Sequence, residues 1–109
     1  MPGTRIPDVI RKQVEERITA FNRRVLQDPN VSYRPRYRGG FLYLDRCDYG
    51  RVGPICRLQY SGAIDRWEFA IFRFSDERYD PDEWLFPGSE HVDGTLEGAM
   101  RAGMAAYPP

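Results

Sequence analysis

Between residues 7 and 28 the apolar side chains Ile10, Val14, Ile18, Phe21 and Val25 recur at intervals of four, four, three and four, with Ile6 one turn earlier. That spacing draws one face of an amphipathic helix. Pro7 suits its first turn, and Asp28-Pro29-Asn30 ends it, because a residue before proline avoids helical dihedrals. Arg11, Lys12, Glu15, Glu16, Arg23 and Arg24 fall on the opposite, solvated face. From Val31 the period drops to two. Tyr33, Pro35 and Tyr37 alternate with Arg34, Arg36 and Arg38, then Gly39-Gly40 precedes the run Phe41-Leu-Tyr-Leu-Asp-Arg-Cys47. Two glycines between alternating runs predict a tight hairpin with positive φ at both. The register follows: Arg38 faces Phe41, Arg36 faces Tyr43 and Arg34 faces Asp45 on one side, while Tyr37 faces Leu42 and Pro35 faces Leu44 on the other. The second side is the natural core face, and Pro35, which has no N–H to donate, assigns the first strand to a sheet edge.

Residues 48–54 read as a turn-rich connection, and residues 55–60 as a third strand with Cys56, Leu58 and Tyr60 on one side. After a turn at 61–65, a fourth strand over residues 67–74 sets Trp67, Phe69 and Ile71 on one face and Ala70, Phe72 and Phe74 on the other. Both faces are apolar, so something must cover the second. Residues 75–94 follow no period, although Trp84-Leu-Phe86 is expected to fold back onto the sheet. A last helix opens at Thr95 as N-cap and places Leu96, Met100, Met104 and Tyr107 on one face beside Ala99 and Ala106. Gly98 and Gly103 lower helix propensity and permit close packing; Pro108-Pro109 ends the helix. The expected architecture is one α+β domain over residues 1–109, a four-stranded antiparallel β-meander flanked by an N-terminal and a C-terminal helix, both packed on one sheet face.

At 109 residues such a chain buries roughly 65% of its unfolded surface, enough for a core without staples. Its fifteen aromatics run from Phe21 to Tyr107, as in a globular protein. Residues 1–13 hold no uninterrupted apolar run and no stretch is long enough to span a bilayer, so the expectation is a soluble cytoplasmic protein with no membrane association. Cys47 and Cys56, nine residues apart with no adjacent histidine, match neither a zinc nor a redox motif, and a reduced pair is expected.

Charge changes the picture more than composition does. Residues 1–60 carry 12 Arg/Lys against 6 Asp/Glu, and residues 61–109 carry 4 against 10, so a net charge of zero hides halves of +6 and −6. That asymmetry points to a partner or to a second copy of the chain. Catalytic chemistry finds little support. The one histidine, His91, sits in Ser89-Glu-His-Val-Asp93, too local to converge as a triad, and no nucleophile elbow is present. Asp76, Glu77, Asp80, Asp82, Glu83, Glu90, His91 and Asp93 crowd eighteen residues, yet they lack the order of a calcium loop. No cofactor and no metal are therefore expected.

The basic hairpin is the stronger lead, because Arg34, Arg36 and Arg38 share a face with Phe41 and Tyr43. Arginine among aromatics holds phosphates and stacks bases, or anchors a protein interface. Element order loosely resembles a double-stranded RNA-binding domain, but the last helix has Arg101 as its only base, and the chain has one lysine, Lys12. The segments Gly40-Phe-Leu-Tyr-Leu-Asp-Arg46, Asp48-Tyr-Gly50, Ile55-Cys-Arg-Leu58, Trp67-Glu-Phe69, Asp80-Pro-Asp-Glu-Trp84 and Pro87-Gly-Ser-Glu-His-Val-Asp-Gly94 resemble small bacterial proteins of unknown function. The resemblance covers nearly the whole chain and implies a bacterial cytoplasmic domain with helices on an antiparallel sheet; it carries over no catalytic residue. The reading is a non-catalytic module for self-association or contact with another protein. It uses Arg34, Arg36, Arg38, Phe41 and Tyr43 on the basic side and Asp80, Asp82, Glu83 and Trp84 on the acidic side. Binding of RNA or single-stranded nucleic acid by the hairpin is the alternative.

Overall fold

The helical spacing of the first segment holds for four turns and then breaks. A computed structural model describes residues 5–109 of the chain. In it α1 spans Asp8–Phe21 behind Pro7 and buries Val14, Ile18 and Phe21, while Ile6, just ahead of it, is also buried. A π-helical turn, Asn22–Leu26, follows. A π turn takes an extra residue per turn, so the position four after Phe21 no longer faces inward. Val25, expected in the core, is 41% exposed, and Leu26 packs against the core in its place.

The same turn delivers Asn22 to the sheet. Its carboxamide accepts from the Tyr33 N–H (2.8 Å) and donates to the Tyr33 carbonyl (3.1 Å), as a neighbouring strand would. The strand so capped, β1 (Val31–Arg38), is an edge, as Pro35 implies. Replacing Asn22 with alanine orphans two half-buried backbone groups and is expected to cost about 1–2 kcal/mol. Urea denaturation measures the loss, and faster hydrogen exchange at the Tyr33 amide localises it.

β1 pairs with β2 (Phe41–Asp48) in the register expected for all five facing pairs: Arg38 with Phe41, Tyr37 with Leu42, Arg36 with Tyr43, Pro35 with Leu44 and Arg34 with Asp45. Only Gly39 of the glycine pair takes a positive φ, +58°, which suits a turn needing it at the first central position. β3 is longer than expected, Arg51–Tyr60, because the preceding turn needs only Tyr49 and Gly50, at φ 52° and 90°. A bulge where β3 passes Leu44 and Asp45 sets Cys56 opposite Leu44 and Pro54 opposite Asp45. The extra residue, Ile55, is therefore buried beside Cys56 rather than turned to the other face.

β4 (Trp67–Arg73) pairs with β3, and a fifth strand, β5 (Arg78–Asp80), pairs with β4, so the sheet has five antiparallel strands in chain order, not four. Three residues are too few to show a period of two, which is why residues 75–94 read as wholly irregular. α2 (Leu96–Ala106) opens at Thr95, whose hydroxyl accepts from the Gly98 N–H. The two helices flank the sheet. Phe21, Ile18, Leu96 and Met100 join Leu42, Leu44, Leu58 and Phe69 in one core cluster. Leu42, Leu44 and Met100 have no exposed surface at all, and full burial of such a side chain contributes about 1.5–3 kcal/mol.

Among the described residues two buried side chains are charged, Arg46 and Asp80. Arg46 continues the inward alternation of Leu42 and Leu44 and is 1% exposed. Its guanidinium grips both Asp48 carboxylate oxygens (2.6 and 2.9 Å) and donates to the Gly103 and Tyr107 carbonyls at the end of α2. Burial pushes the Tyr33 phenol, which donates to the Met100 carbonyl in the same cluster, above its ordinary value. The cysteines lie on adjacent strands but on opposite faces: Cys56 is buried in the core and Cys47, opposite Val52, is half-buried on the other side. Burial raises the Cys56 thiol far above the range of a reactive thiolate.

Candidate functional site

The sheet face turned away from the core gathers the basic residues of the hairpin. Arg34, Arg36 and Arg38 project from alternate positions of β1 and are exposed, with Phe41 and Tyr43 half-buried beside them on β2. Arg57 joins from β3, where it lies opposite Tyr43, and Tyr79 joins from β5. Neither was singled out from the sequence. Arg57 had a signal, its alternation with Cys56 and Leu58; Tyr79 had none, because its strand was not legible.

The guanidinium groups of this face lie over rings. That of Arg36 is 4.5 Å from the Tyr43 centroid, and that of Arg57 is 4.5 Å from Phe41 and 5.7 Å from Tyr79. Each such contact is worth roughly 0.5–1 kcal/mol at a partly solvated site. Arg36 also holds Asp45 in a two-pronged ion pair at 3.0 and 3.3 Å, taking the partner that register alone would have given to Arg34. Arg34 and Arg38 make no ion pair among the described residues.

Behind the arginines the aromatics form a continuous file. Phe41 meets Tyr43 at 6.3 Å between centroids, Tyr43 meets Tyr79 at 5.2 Å, and Tyr79 meets Phe72 at 5.0 Å. Phe72 meets Phe74 at 4.9 Å, and Phe74 meets Tyr107 at 5.1 Å. Tyr79 thus covers Phe72 on the second apolar face of β4, whereas Phe74, past the end of the strand, meets Phe72 and Tyr107 yet stays 54% exposed. A depression of about 250 Å³ opens on this face between Arg36, Asp45, Pro54, Phe72 and Tyr79. Burial, with the Asp45 carboxylate, raises the Tyr79 phenol above its ordinary value, and Arg36 opposes the shift.

The acidic candidates lie elsewhere. Asp80 alternates with Tyr79 and so faces the other way; its carboxylate accepts from the Asp82 N–H (2.9 Å), Arg73 (3.1 Å) and Arg78 (3.2 Å). The Asp82 amide and the two arginines hold the Asp80 carboxyl below the ordinary carboxylate range. Asp76 and Glu83 complete this local cluster around Arg73 and Arg78. Asp82 is exposed without an ion pair among the described residues, and Trp84, 48% exposed, lies 6.4 Å from the Phe69 ring. Phe86 stacks on Phe69 at 5.8 Å, so the 84–86 segment does fold back, with Leu85 left 95% exposed.

Asp93 does not orient His91; its carboxylate accepts from the Thr95 N–H and hydroxyl at the mouth of α2. Among the described residues no three His, Cys, Asp or Glu side chains converge as metal ligands, and no helix is long and apolar enough to cross a membrane. Comparison of the chain with protein-family models, with curated proteins and with solved structures finds no match.

Proposed function

We propose that this protein is a non-catalytic interaction module whose open sheet face docks an acidic surface of a partner protein. The observation that carries the reading is the pair Arg34 and Arg38, exposed and without ion pairs among the described residues, beside two arginines laid on rings in a solvent-facing sheet. Tyrosine and arginine are the residue types that anchor interfaces. Stacking holds Arg36 and Arg57 in place, so less side-chain freedom is lost on binding.

Charge argues for a heterologous acidic partner. Arg34, Arg36, Arg38 and Arg57 share the face with Asp45 and Glu68, so a two-fold pairing of this face with itself would press like charge on like. In the acidic loop Asp76, Asp80 and Glu83 are engaged by Arg73 and Arg78, which leaves a second copy mainly the exposed Glu77 and Asp82 to meet. Nucleic acid is the less favoured ligand, because the guanidinium groups already occupy the faces of Phe41, Tyr43 and Tyr79 on which bases would stack.

The test uses two fluorescent probes, a tyrosine-containing Asp/Glu-rich peptide and an oligouridylate, titrated into wild type and into the double variant Arg34→Glu/Arg38→Glu. The peptide is expected to bind and to lose about tenfold or more in affinity on charge reversal, the equivalent of about 1.4 kcal/mol. Preference for the oligouridylate, with affinity falling steeply in log salt, would instead establish the nucleic-acid reading. A wild-type dimer in light scattering that Arg36→Glu dissolves would establish self-association.

A further inference from the structure

The π turn that expels Val25 also opens a groove. Such turns are uncommon and recur at functional sites. The groove holds about 420 Å³, with Phe21 of α1 and Val25 and Leu26 of the π turn on one side and Met104 and Ala105 of α2 on the other. Phe21 is buried and forms the floor. Arg101 lies three and four residues before Met104 and Ala105, so all three share one flank of α2. His91, at the end of the 3-10 turn Ser89–His91, completes the lining. It comes this close because Gly98 of α2 has no side chain; a Cβ there would lie 2.4 Å from the His91 carbonyl oxygen.

The lining is apolar except for Arg101 and His91, and no acidic side chain belongs to it. Arg101 is exposed and makes no ion pair among the described residues. Its guanidinium carbon lies over the Phe21 ring, 5.6 Å from the centroid. A guanidinium settled over a ring keeps its N–H edge for an oxyanion, and its planar fork matches a carboxylate. We propose that this groove binds a small organic monocarboxylate with an apolar body, the carboxylate on Arg101 and the body against Phe21, Val25, Leu26 and Met104. Sites that bury an apolar ligand and orient it by a few polar groups have about this size.

Arg101 sets the sign of the ligand charge. His91 is the lesser partner, because the exposed Glu90 carboxylate stands 3.9 Å from its imidazole. A cationic ligand would meet Arg101 as like charge, and a neutral one would leave the guanidinium unanswered. The groove is bounded by the π turn, α2 and the 3-10 turn, which suits a small molecule better than a flat protein surface. It lies on the helical side of the sheet, so it is independent of the docking proposed for the open face.

The probes are hexanoate, hexanol and hexylammonium, which share a chain and differ in head group. Titrations followed by NMR should shift the methyl signals of Val25 and Met104, with hexanoate binding about fivefold or more tighter than hexanol and hexylammonium weaker than either. Arg101→Gln should erase the advantage of hexanoate while leaving hexanol within about twofold, an outcome that general loss of structure would not give, and Arg101→Lys should keep part of it. Val25→Asp, which sets a second carboxylate beside the first, should weaken hexanoate more than hexanol. Arg34→Glu/Arg38→Glu, across the sheet, should leave hexanoate affinity within about twofold. Absence of hexanoate binding to the wild type up to about 10 mM overturns the proposal. So does equal affinity for hexanoate and hexanol, a loss in Arg101→Gln that hexanol shares, or shifts confined to residues outside the groove.

Discussion

Replacing Arg46 with methionine is expected to destabilise the domain by about 3 kcal/mol, the largest effect of any single side chain discussed, because the residue is a buried charge holding three elements together. Its guanidinium takes both oxygens of Asp48 on β2, the carbonyls of Gly103 in α2 and of Tyr107 just past its end, and donates to the Tyr33 hydroxyl of β1 at 3.4 Å. Carbonyls at a helix C-terminus carry the negative end of the macrodipole; the Gly103 carbonyl already accepts from the Tyr107 N–H (2.9 Å), so the cation there answers the Tyr107 carbonyl and the field together. Methionine fills similar volume but donates nothing, leaving the end of α2 and the Asp48 carboxylate short of partners. For a domain of this size the loss corresponds to a fall in Tm of roughly 12 °C or more. Arg46→Lys should fall between, since an ammonium keeps the charge but not the fork that spans carboxylate and carbonyls. Arg34→Met, at an exposed residue with no ion pair among the described residues, is the control and should stay within about 0.5 kcal/mol. A loss under about 1 kcal/mol for Arg46→Met would show the cluster to be dispensable.

Gly103→Val comes next, at about 3 kcal/mol of destabilisation. Helix propensity alone predicts the opposite sign for Gly103→Ala, a gain of up to about 1 kcal/mol. Packing reverses it, because a Cβ at Gly103 would lie 2.5 Å from the Ile55 Cγ2 and 2.5 Å from the Tyr33 hydroxyl. Neither neighbour can retreat easily: the β3 bulge turns Ile55 inward, and the Tyr33 hydroxyl donates to the Met100 carbonyl at 2.7 Å. Alanine should therefore destabilise, and valine, with two further methyl groups in the same gap, more so. Thermal melts of both variants decide the matter; a Gly103→Ala protein more stable than wild type would mean that α2 can move off the sheet without cost.

The sequence by itself determined those elements whose burial follows a regular period. Alternation in residues 31–47, interrupted by Gly39-Gly40, set the register of β1 on β2 and put Arg34, Arg36, Arg38, Phe41 and Tyr43 on one face. The same alternation, read one step further, sends Arg46 inward after Leu42 and Leu44, a signal easily passed over because arginine is seldom buried. Thr95 as N-cap and Pro35 as an edge residue were legible because each answers a local hydrogen-bonding constraint. Tertiary structure decided the features that depend on where a period breaks or on which chain segment arrives opposite. The π turn expels Val25 and hands Asn22 to the β1 edge, the bulge turns Ile55 inward, and β5, three residues long, delivers Tyr79 to the basic face while Asp80 turns to Arg73 and Arg78. A single inserted residue or a three-residue strand leaves no periodic trace. Its geometry is settled only by the hydrogen bonds and packing of residues distant in sequence, which is why the arginines of the open face could be read along the chain and the arrival of Tyr79 among them could not.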